Sequence, residues 1–152
     1  MIRAVGYAEA QELIDALEAE LRDRYQDDGA THADPAQFLQ PAGVFLVVEE
    51  DGRLLACGGL RTLEPGVGEI KRMYVVPEAR GRGLSRRVLR GLVEFAREQG
   101  FARLLLETGP KQPEAIGLYE SEGFTAVEAY GEWVGHGGCS LFFGLALRDA
   151  DV

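Results

Sequence analysis

Residues 69–90 constrain the fold more than any other stretch of this sequence, reading EIKRMYVVPEARGRGLSRRVLR. β-forming residues run to Val76, Pro77 ends the strand, and Gly81 and Gly83 mark a loop before a helical pattern. A strand, a glycine loop and a helix N-terminus in this order favour an anion site. Backbone N–H groups without intrahelical partners point out of the first helical turn, and the helix dipole adds positive potential there.

The charge of this stretch supports an anionic ligand. Between residues 71 and 90 seven residues are basic and only Glu78 is acidic, which gives the window a charge of +6. Because the whole chain carries −9, the remaining residues sum to −15. We therefore expect a local anion site on an acidic protein, and the overall charge argues against non-specific nucleic-acid binding.

The loop carries a recognisable motif. Arg80-Gly81-Arg82-Gly83-Leu84-Ser85 resembles the Gln/Arg-x-x-Gly-x-Gly/Ala signature of the GNAT family of N-acetyltransferases, in which this loop binds the pyrophosphate of acetyl-CoA. Ser85 departs from the signature, which has Gly or Ala there. The third glycine of the dinucleotide fingerprint is missing, and the absence of Gly-Lys-Ser/Thr argues against a nucleotide triphosphatase.

A second motif follows at the expected distance. Residues 112–124, QPEAIGLYESEGF, resemble the GNAT pattern Asn-x-x-Ala-x-x-Phe/Leu-Tyr-x-x-x-Gly-Phe, with Gln112 in place of Asn. Together with the hairpin upstream, the resemblance covers about residues 43–130. It implies acetyl-CoA as cosubstrate, a splayed pair of parallel strands and transfer of acetyl to an amine, either of a small molecule or of a protein.

The resemblance also implies which residues contact the cofactor. The backbone along 73–75 is expected to pair with the pantetheine arm as an added strand would. Of the arginines in the loop and helix, at least one is expected to reach the phosphates and the others to lie on a solvated helix face. The expected cofactor-binding residues are Met73, Tyr74, Val75, Arg80, Gly81, Arg82, Gly83, Leu84, Ser85, Arg86, Gln112 and Tyr119.

Amine acetylation needs a base and an acid. An alkyl amine is protonated at pH 7, so a base helps to neutralise it, and an acid is needed for the departing thiolate. Tyr119 is the candidate acid, although its helical spacing with Ala115 and Leu118 also fits a core aromatic residue. Glu69 is the candidate base. It equally fits a pocket acid that attracts a cation, or a salt-bridge partner of an arginine.

Two further acids, Glu107 and Glu132, are lesser candidates for the base. We expect no metal site, because Cys57 and Cys139 lie far apart without metal-like spacing. His32 and His136 lie in polar or glycine-rich loops and are expected at the surface.

The chain is expected to form a single α/β acetyltransferase domain over residues 1–152, with a mixed central sheet of six to seven strands and helices on both faces. Predicted helices cover 8–25, 83–99 and 113–122, and a single helical turn follows Asp34. Asp51-Gly52 predicts a hairpin, Gly58-Gly59 a bulge or close approach, and 63–68 a turn-rich loop. Predicted later strands are 101–107, 124–130 and 140–147. The strand 101–107 is expected to run parallel to 69–76, because a helix crossover separates them.

The cysteine content and the lack of a membrane span or a signal pattern lead us to expect a cytoplasmic protein that binds no membrane. The sequence does not decide whether the protein forms a homodimer. The alternative to an enzyme is a catalytically idle GNAT module that binds acyl-CoA as a sensor or partner. Having both Tyr119 and Glu69 favours the enzyme, since a binder needs neither, but the acceptor amine is not identified.

Overall fold

The computed structural model describes residues 1–25, 34–109, 113–135, 138 and 140–147. It contains a seven-stranded mixed sheet with helices on both faces, which confirms the predicted fold class. The strands are β1 (Ile2–Ala4), β2 (Val44–Glu50), β3 (Arg53–Glu64), β4 (Val67–Val75), β5 (Arg103–Thr108), β6 (Thr125–Ala126) and β7 (Leu141–Ala146). The α-helices are α1 (Gln11–Tyr25), α2 (Leu84–Glu98) and α3 (Pro113–Ser121).

The strand order is β1-β2-β3-β4-β5-β7-β6, and β4 and β5 form a parallel pair. All other neighbouring strands run antiparallel. The parallel pair follows from the connection through α2, because a strand that returns alongside its predecessor in the same direction needs a crossover. The prediction that 101–107 runs parallel to the central strand is therefore confirmed.

The two faces of the sheet are covered differently. A Cβ on Gly58 of β3 would lie 2.7 Å from Val88 of α2, while one on Gly59 would lie 2.6 Å from the ring of Phe38 on the opposite face. Phe38 belongs to the predicted helical turn, a 3₁₀ helix at Pro35–Phe38 capped by Asp34. The face of Gly59 is covered by α1 and this turn, and the opposite face by α2 and α3.

The hairpin forms as predicted, whereas the bulge expected at Gly58-Gly59 has its extra residue on the partner strand β4. Asp51 and Gly52 have φ angles of 52° and 77°, the two positive values that a type I′ turn requires. The pairing of β3 with β4 shifts register between Cys57 and Gly59. One β3 residue, Gly58, thus lies opposite Arg72 and Met73 of β4, which bulges there.

Two predictions about strand ends were wrong. The predicted loop 63–68 is mostly strand, because β3 runs to Glu64, β4 begins at Val67 and only Pro65-Gly66 turns. The predicted strand 124–130 pairs only at Thr125–Ala126, followed by one backbone bond from Val127 to the Phe142 carbonyl. Beyond it the chain leaves the sheet, so that the rings of Tyr130 and Trp133 pack against Phe142 at centroid distances of 5.7 and 5.8 Å.

Helices α2 and α3 end where the sequence predicts, before Gly100 and Gly123, whose φ angles are 83° and 93°. The predicted first helix begins as a 3₁₀ turn at Tyr7–Ala10 and continues as α1. His32, His136 and Cys139 lie outside the described residues. Of the helices in the described ranges, none has the length and apolar character to span a membrane.

Candidate functional site

A cleft opens where the two parallel strands separate. Pairing of β4 with β5 ends at Ile70 and Leu106, so the last five residues of β4 have no strand on that side. The floor and walls come from β4, the glycine loop, α3 and α1. The lining residues are Leu17, Glu20, Met73, Tyr74, Val75, Ala79, Arg80, Gly81, Gly83, Leu84, Ser85, Glu114, Ala115, Leu118 and Tyr119.

The bulge in β4 lies directly after the point of separation. Arg72 has a φ of 62°, which is unusual for a residue with a side chain, and it faces the register shift opposite Gly58. The thiol of Cys57 donates to the Arg72 carbonyl at 3.3 Å. Burial raises the pKa of this thiol to about 12, so it stays a neutral donor beneath the bulge.

The glycine loop leads into α2 as the sequence predicts. Gly81 and Gly83 have φ angles of 83° and 77°, and a Cβ on either would meet no atom within 4 Å. Gly83 is the N-cap of α2, where no side chain caps the helix and no acidic residue lies in the first turn. The first-turn N–H groups and the positive end of the helix dipole therefore face this rim of the cleft without a capping side chain from the helix itself.

Nine of the twelve residues expected at the cofactor line the cleft, and the other three do not lie in its described lining. Arg82 pairs with Glu50 at 2.6 Å, and Arg86 pairs with Glu122 at 2.8 Å and donates to the hydroxyl of Ser121 at 3.0 Å. Their charges are used to tie α2 and its loop to neighbouring elements. Gln112 lies outside the described residues.

Tyr119 lies in both the core and the cleft wall. Its ring packs on Phe124 and Phe143 at centroid distances of 5.9 and 6.4 Å. Within the described part of the chain its hydroxyl makes no hydrogen bond, although the residue lines the cleft. Burial raises the pKa of this phenol above its ordinary value, and the charge of Glu107 adds to the rise. Tyr119 thus remains a neutral hydroxyl donor at all working pH values.

On the face of the sheet covered by α1, charged and polar side chains assemble into a buried polar cluster, with exposed Gln37 at its outer end. Its members are Gln37, Arg61, Glu69, Lys71, Glu107 and Tyr130.

Glu69 is the centre of this cluster and is 1% exposed. Its Oε1 accepts from the Nε and Nη2 atoms of Arg61 at 2.8 and 2.7 Å, and its Oε2 accepts from the Tyr130 hydroxyl at 2.8 Å. The Lys71 ammonium lies 3.9 Å from Oε2. Both oxygens are engaged, which is the environment of a structural ion pair more than of a proton acceptor.

Glu107 of β5 lies one residue beyond the last pair with β4 and is partly exposed. The Ser140 hydroxyl donates to its Oε2 at 2.6 Å. Burial raises the pKa of its carboxyl, opposed by the Ser140 hydrogen bond and the charge of Lys71. A carboxyl with a raised pKa accepts a proton more readily at neutral pH than an ordinary one. The side chain of Glu132 lies outside the described part of the structure.

Sequence reasoning missed four contributions. Leu17 and Glu20 reach the cleft from α1, and Tyr130 reaches Glu69 from a loop 61 residues away along the chain. The fourth is Arg61 of β3, which contacts Glu69 and was the only one with a signal in the sequence, a charge at the end of an apolar strand run. The other contacts depend on tertiary packing and had none.

In the described ranges, no group of three or more His, Cys, Asp or Glu side chains is placed to hold a metal ion.

Comparisons with known proteins agree with this geometry. The family model described as "Acetyltransferase (GNAT) family" matches residues 10–124. An "IAA acetyltransferase" of Azospirillum brasilense is 37% identical over 123 residues, which cover 80% of each chain. A proposed acyl-CoA N-acyltransferase from Klebsiella pneumoniae has a TM-score of 0.81 at 29% identity and 97% coverage of both chains.

A proposed acetyltransferase of Salmonella typhimurium, solved with its cofactor acetyl-CoA, shares the fold with a TM-score of 0.76 at 22% identity. The alignment covers 98% of this chain and 94% of that one. The family match spans both motifs, both parallel strands and all of the described residues that line the cleft. The chain belongs to the GNAT family of acetyltransferases.

Proposed function

We propose that this chain is an N-acetyltransferase that transfers the acetyl group of acetyl-CoA to an amine by direct attack. The observation that carries the proposal is the cleft along the edge of β4 beyond its pairing with β5, bounded by the glycine loop and by Tyr119. The solved relative from Salmonella typhimurium that holds acetyl-CoA has the same fold, which supports the choice of cosubstrate.

Two parts of the cleft support this choice of cofactor. The open edge of β4 along 73–75 offers backbone groups to the pantetheine amides, as an added strand would. The glycine loop and the first turn of α2 offer N–H groups to the diphosphate, and its two glycines let a bulky phosphate come close. When bound, acetyl-CoA supplies an activated acyl group on a thioester.

Tyr119 is proposed to donate a hydrogen bond to the sulfur as the thiolate departs. Its hydroxyl is free of other bonds in the described structure, and its ring is fixed by two phenylalanines. The raised pKa keeps the proton on the phenol before reaction, which suits a donor. It also makes complete proton transfer uphill, so the transfer must be driven by the charge that develops on sulfur.

We propose Glu107 as the base that accepts the amine proton, directly or through water, in preference to Glu69. Glu107 is partly exposed, has a raised pKa and stands where the strands part. Glu69 is buried with both oxygens bonded. In this assignment Glu69 holds Arg61 and Tyr130 in position.

The test is a panel of amines offered with acetyl-CoA while free thiol is measured. The panel contains amino acids, polyamines, aminosugars and peptides with free N-termini or lysines. We expect amine-dependent thiol release with one of these classes, and CoA binding by calorimetry. Binding without release from any class would contradict the transferase and favour the acyl-CoA-binding module.

Matched glutamine variants distinguish between Glu107 and Glu69 as the base. Glu107→Gln should lower kcat about 10²–10⁴-fold and remove the acidic limb of the pH–rate profile, because the proton acceptor is gone. Glu69→Gln should leave that limb in place. The reverse pattern would return the role of base to Glu69.

A further inference from the structure

We propose that Glu20 of α1 sets the affinity for the cofactor by competing with it for Arg80. The inference rests on the proposed acetyl-CoA site and adds a residue that neither motif contains. Glu20 and Arg80 both line the cleft, and the Arg80 Nη2 lies 2.9 Å from Glu20 Oε1. The pair joins the glycine-loop rim of the cleft to α1.

Arg80 also takes a backbone acceptor that an added strand would need. Its Nε donates to the carbonyl of Val75 at 3.0 Å, and its guanidinium lies 5.6 Å from the centre of the Tyr74 ring. Val76 donates its N–H to the neighbouring strand β3, so the polar groups of Val75 point to the open edge of β4. The side chain of Arg80 therefore lies along the edge where the cofactor arm is expected.

The contact of Arg80 with a diphosphate is expected to be stronger than its contact with Glu20. The Arg80 and Glu20 side chains are 39% and 27% exposed, so their ion pair is a weak, solvent-screened one. A diphosphate carries more charge than one carboxylate and accepts from guanidinium through a planar pair of N–H bonds. When the cofactor binds, Arg80 exchanges its contact with Glu20 for a contact with the diphosphate. The free energy of the lost ion pair therefore reduces the net free energy of binding.

Removal of the competitor is therefore expected to tighten binding. In calorimetry with CoA, Glu20→Gln should lower Kd about two- to fivefold relative to the control Glu18→Gln, the range that a partly exposed ion pair supports. Glu18 is on the same helix and its change removes the same charge, but it does not line the cleft. The control thereby subtracts the general effect of making the protein less acidic.

A double-mutant cycle assigns the effect to the pair. With Arg80→Ala in place, Glu20→Gln should change Kd no more than Glu18→Gln does, because the contact is already absent. In the native background the gap between the two glutamine variants should narrow as salt rises, since both contacts of Arg80 are screened. Thermal unfolding of each variant reports whether it is folded.

The outcomes separate this inference from the function on which it rests. If the unaltered protein binds no CoA, the proposed function is wrong. If it binds CoA and Glu20→Gln matches Glu18→Gln or weakens binding, only the competition is wrong. In the case of weaker binding, Glu20 would instead hold Arg80 in its productive position.

Discussion

The cleft and the buried polar cluster lie on the same central strand but are assembled in different ways. The glycine loop and the first turn of α2 come from one continuous stretch, 80–86, and use backbone groups. The polar cluster joins Gln37, Arg61, Glu69 and Tyr130 from four separate elements through side chains. The first is a local arrangement that suits the proposed anion, and the second is a long-range arrangement that holds loops against the sheet.

This difference predicts how the two regions respond to mutation. The cleft contributes little buried polar pairing, so its variants should change binding or turnover while stability is largely kept. The cluster encloses charges that are costly to bury unless they are paired, so its variants should change stability first. Glu107 and Tyr119 belong to neither group alone, because packing in the fold positions both side chains and we propose a catalytic role for each.

The largest effect is expected from removal of one hydroxyl in the cleft. Tyr119→Phe should reduce kcat about 10²–10⁴-fold with CoA affinity nearly unchanged, because the proton matters mainly as the C–S bond breaks. Steady-state kinetics and calorimetry measure the two quantities. Native turnover in this variant would make Tyr119 a core aromatic only.

Tyr130→Phe makes the same substitution in the polar cluster and is the matched comparison for Tyr119→Phe. Tyr130→Phe leaves Glu69 Oε2 without its 2.8 Å donor. We expect it to cost about 1.5–3 kcal/mol of unfolding free energy, the range for a hydrogen bond to a charged group. A Tyr130 variant that loses turnover at unchanged stability would break the division between the two regions.

Glu69→Gln should be the most destabilising change in the cluster. It leaves the buried guanidinium of Arg61 and the ammonium of Lys71 without their shared carboxylate. Breaking a buried pair from one side costs about 3–5 kcal/mol. Chemical denaturation measures this loss, with Glu50→Gln as the control. Glu50 and Arg82 are each 47% exposed, so that pair should be worth no more than about 1 kcal/mol.

A backbone substitution tests the local device. Gly83→Val should weaken CoA binding at least about tenfold, because a branched side chain would stand where phosphate must approach the main chain. The left-handed backbone at Gly83 adds a stability cost of roughly 1–2 kcal/mol. Gly52→Val is the control, since Gly52 has the same φ of 77° but lies in the β2–β3 hairpin. Equal CoA affinity in the two variants would contradict the anion site.

Sequence reasoning succeeded where the information is local. The strand–glycine loop–helix order, the Asp51-Gly52 turn and the parallel crossover each depend on a short pattern with one favoured geometry. It failed at 124–130, where a β-like run leaves the sheet because Tyr130 and Trp133 find the ring of Phe142. The role of Glu69 could not be decided from the sequence, because no pattern near position 69 indicates that Arg61 and Tyr130 bond to its carboxylate.

The smallest change in stability is expected from Glu107→Gln, apart from its proposed effect on turnover, and its sign is opposite to that of Glu69→Gln. Burial raises the pKa of the Glu107 carboxyl, so the folded protein binds its proton more tightly than the unfolded chain does. The resulting stability is present below the pKa of the unfolded chain, near 4.3, and is lost as pH rises through the higher pKa of the folded protein.

At pH 8 the unaltered protein therefore bears the cost of a partly buried charge that Glu107→Gln removes. The variant should unfold at a higher temperature at pH 8, by roughly 2–4 °C for each kcal/mol gained. The difference should shrink as pH falls toward 4, where the native carboxyl is also neutral. Thermal unfolding across this pH range measures it, and a variant less stable than the unaltered protein at pH 8 would mean that Glu107 is held as a paired charge in the same way as Glu69.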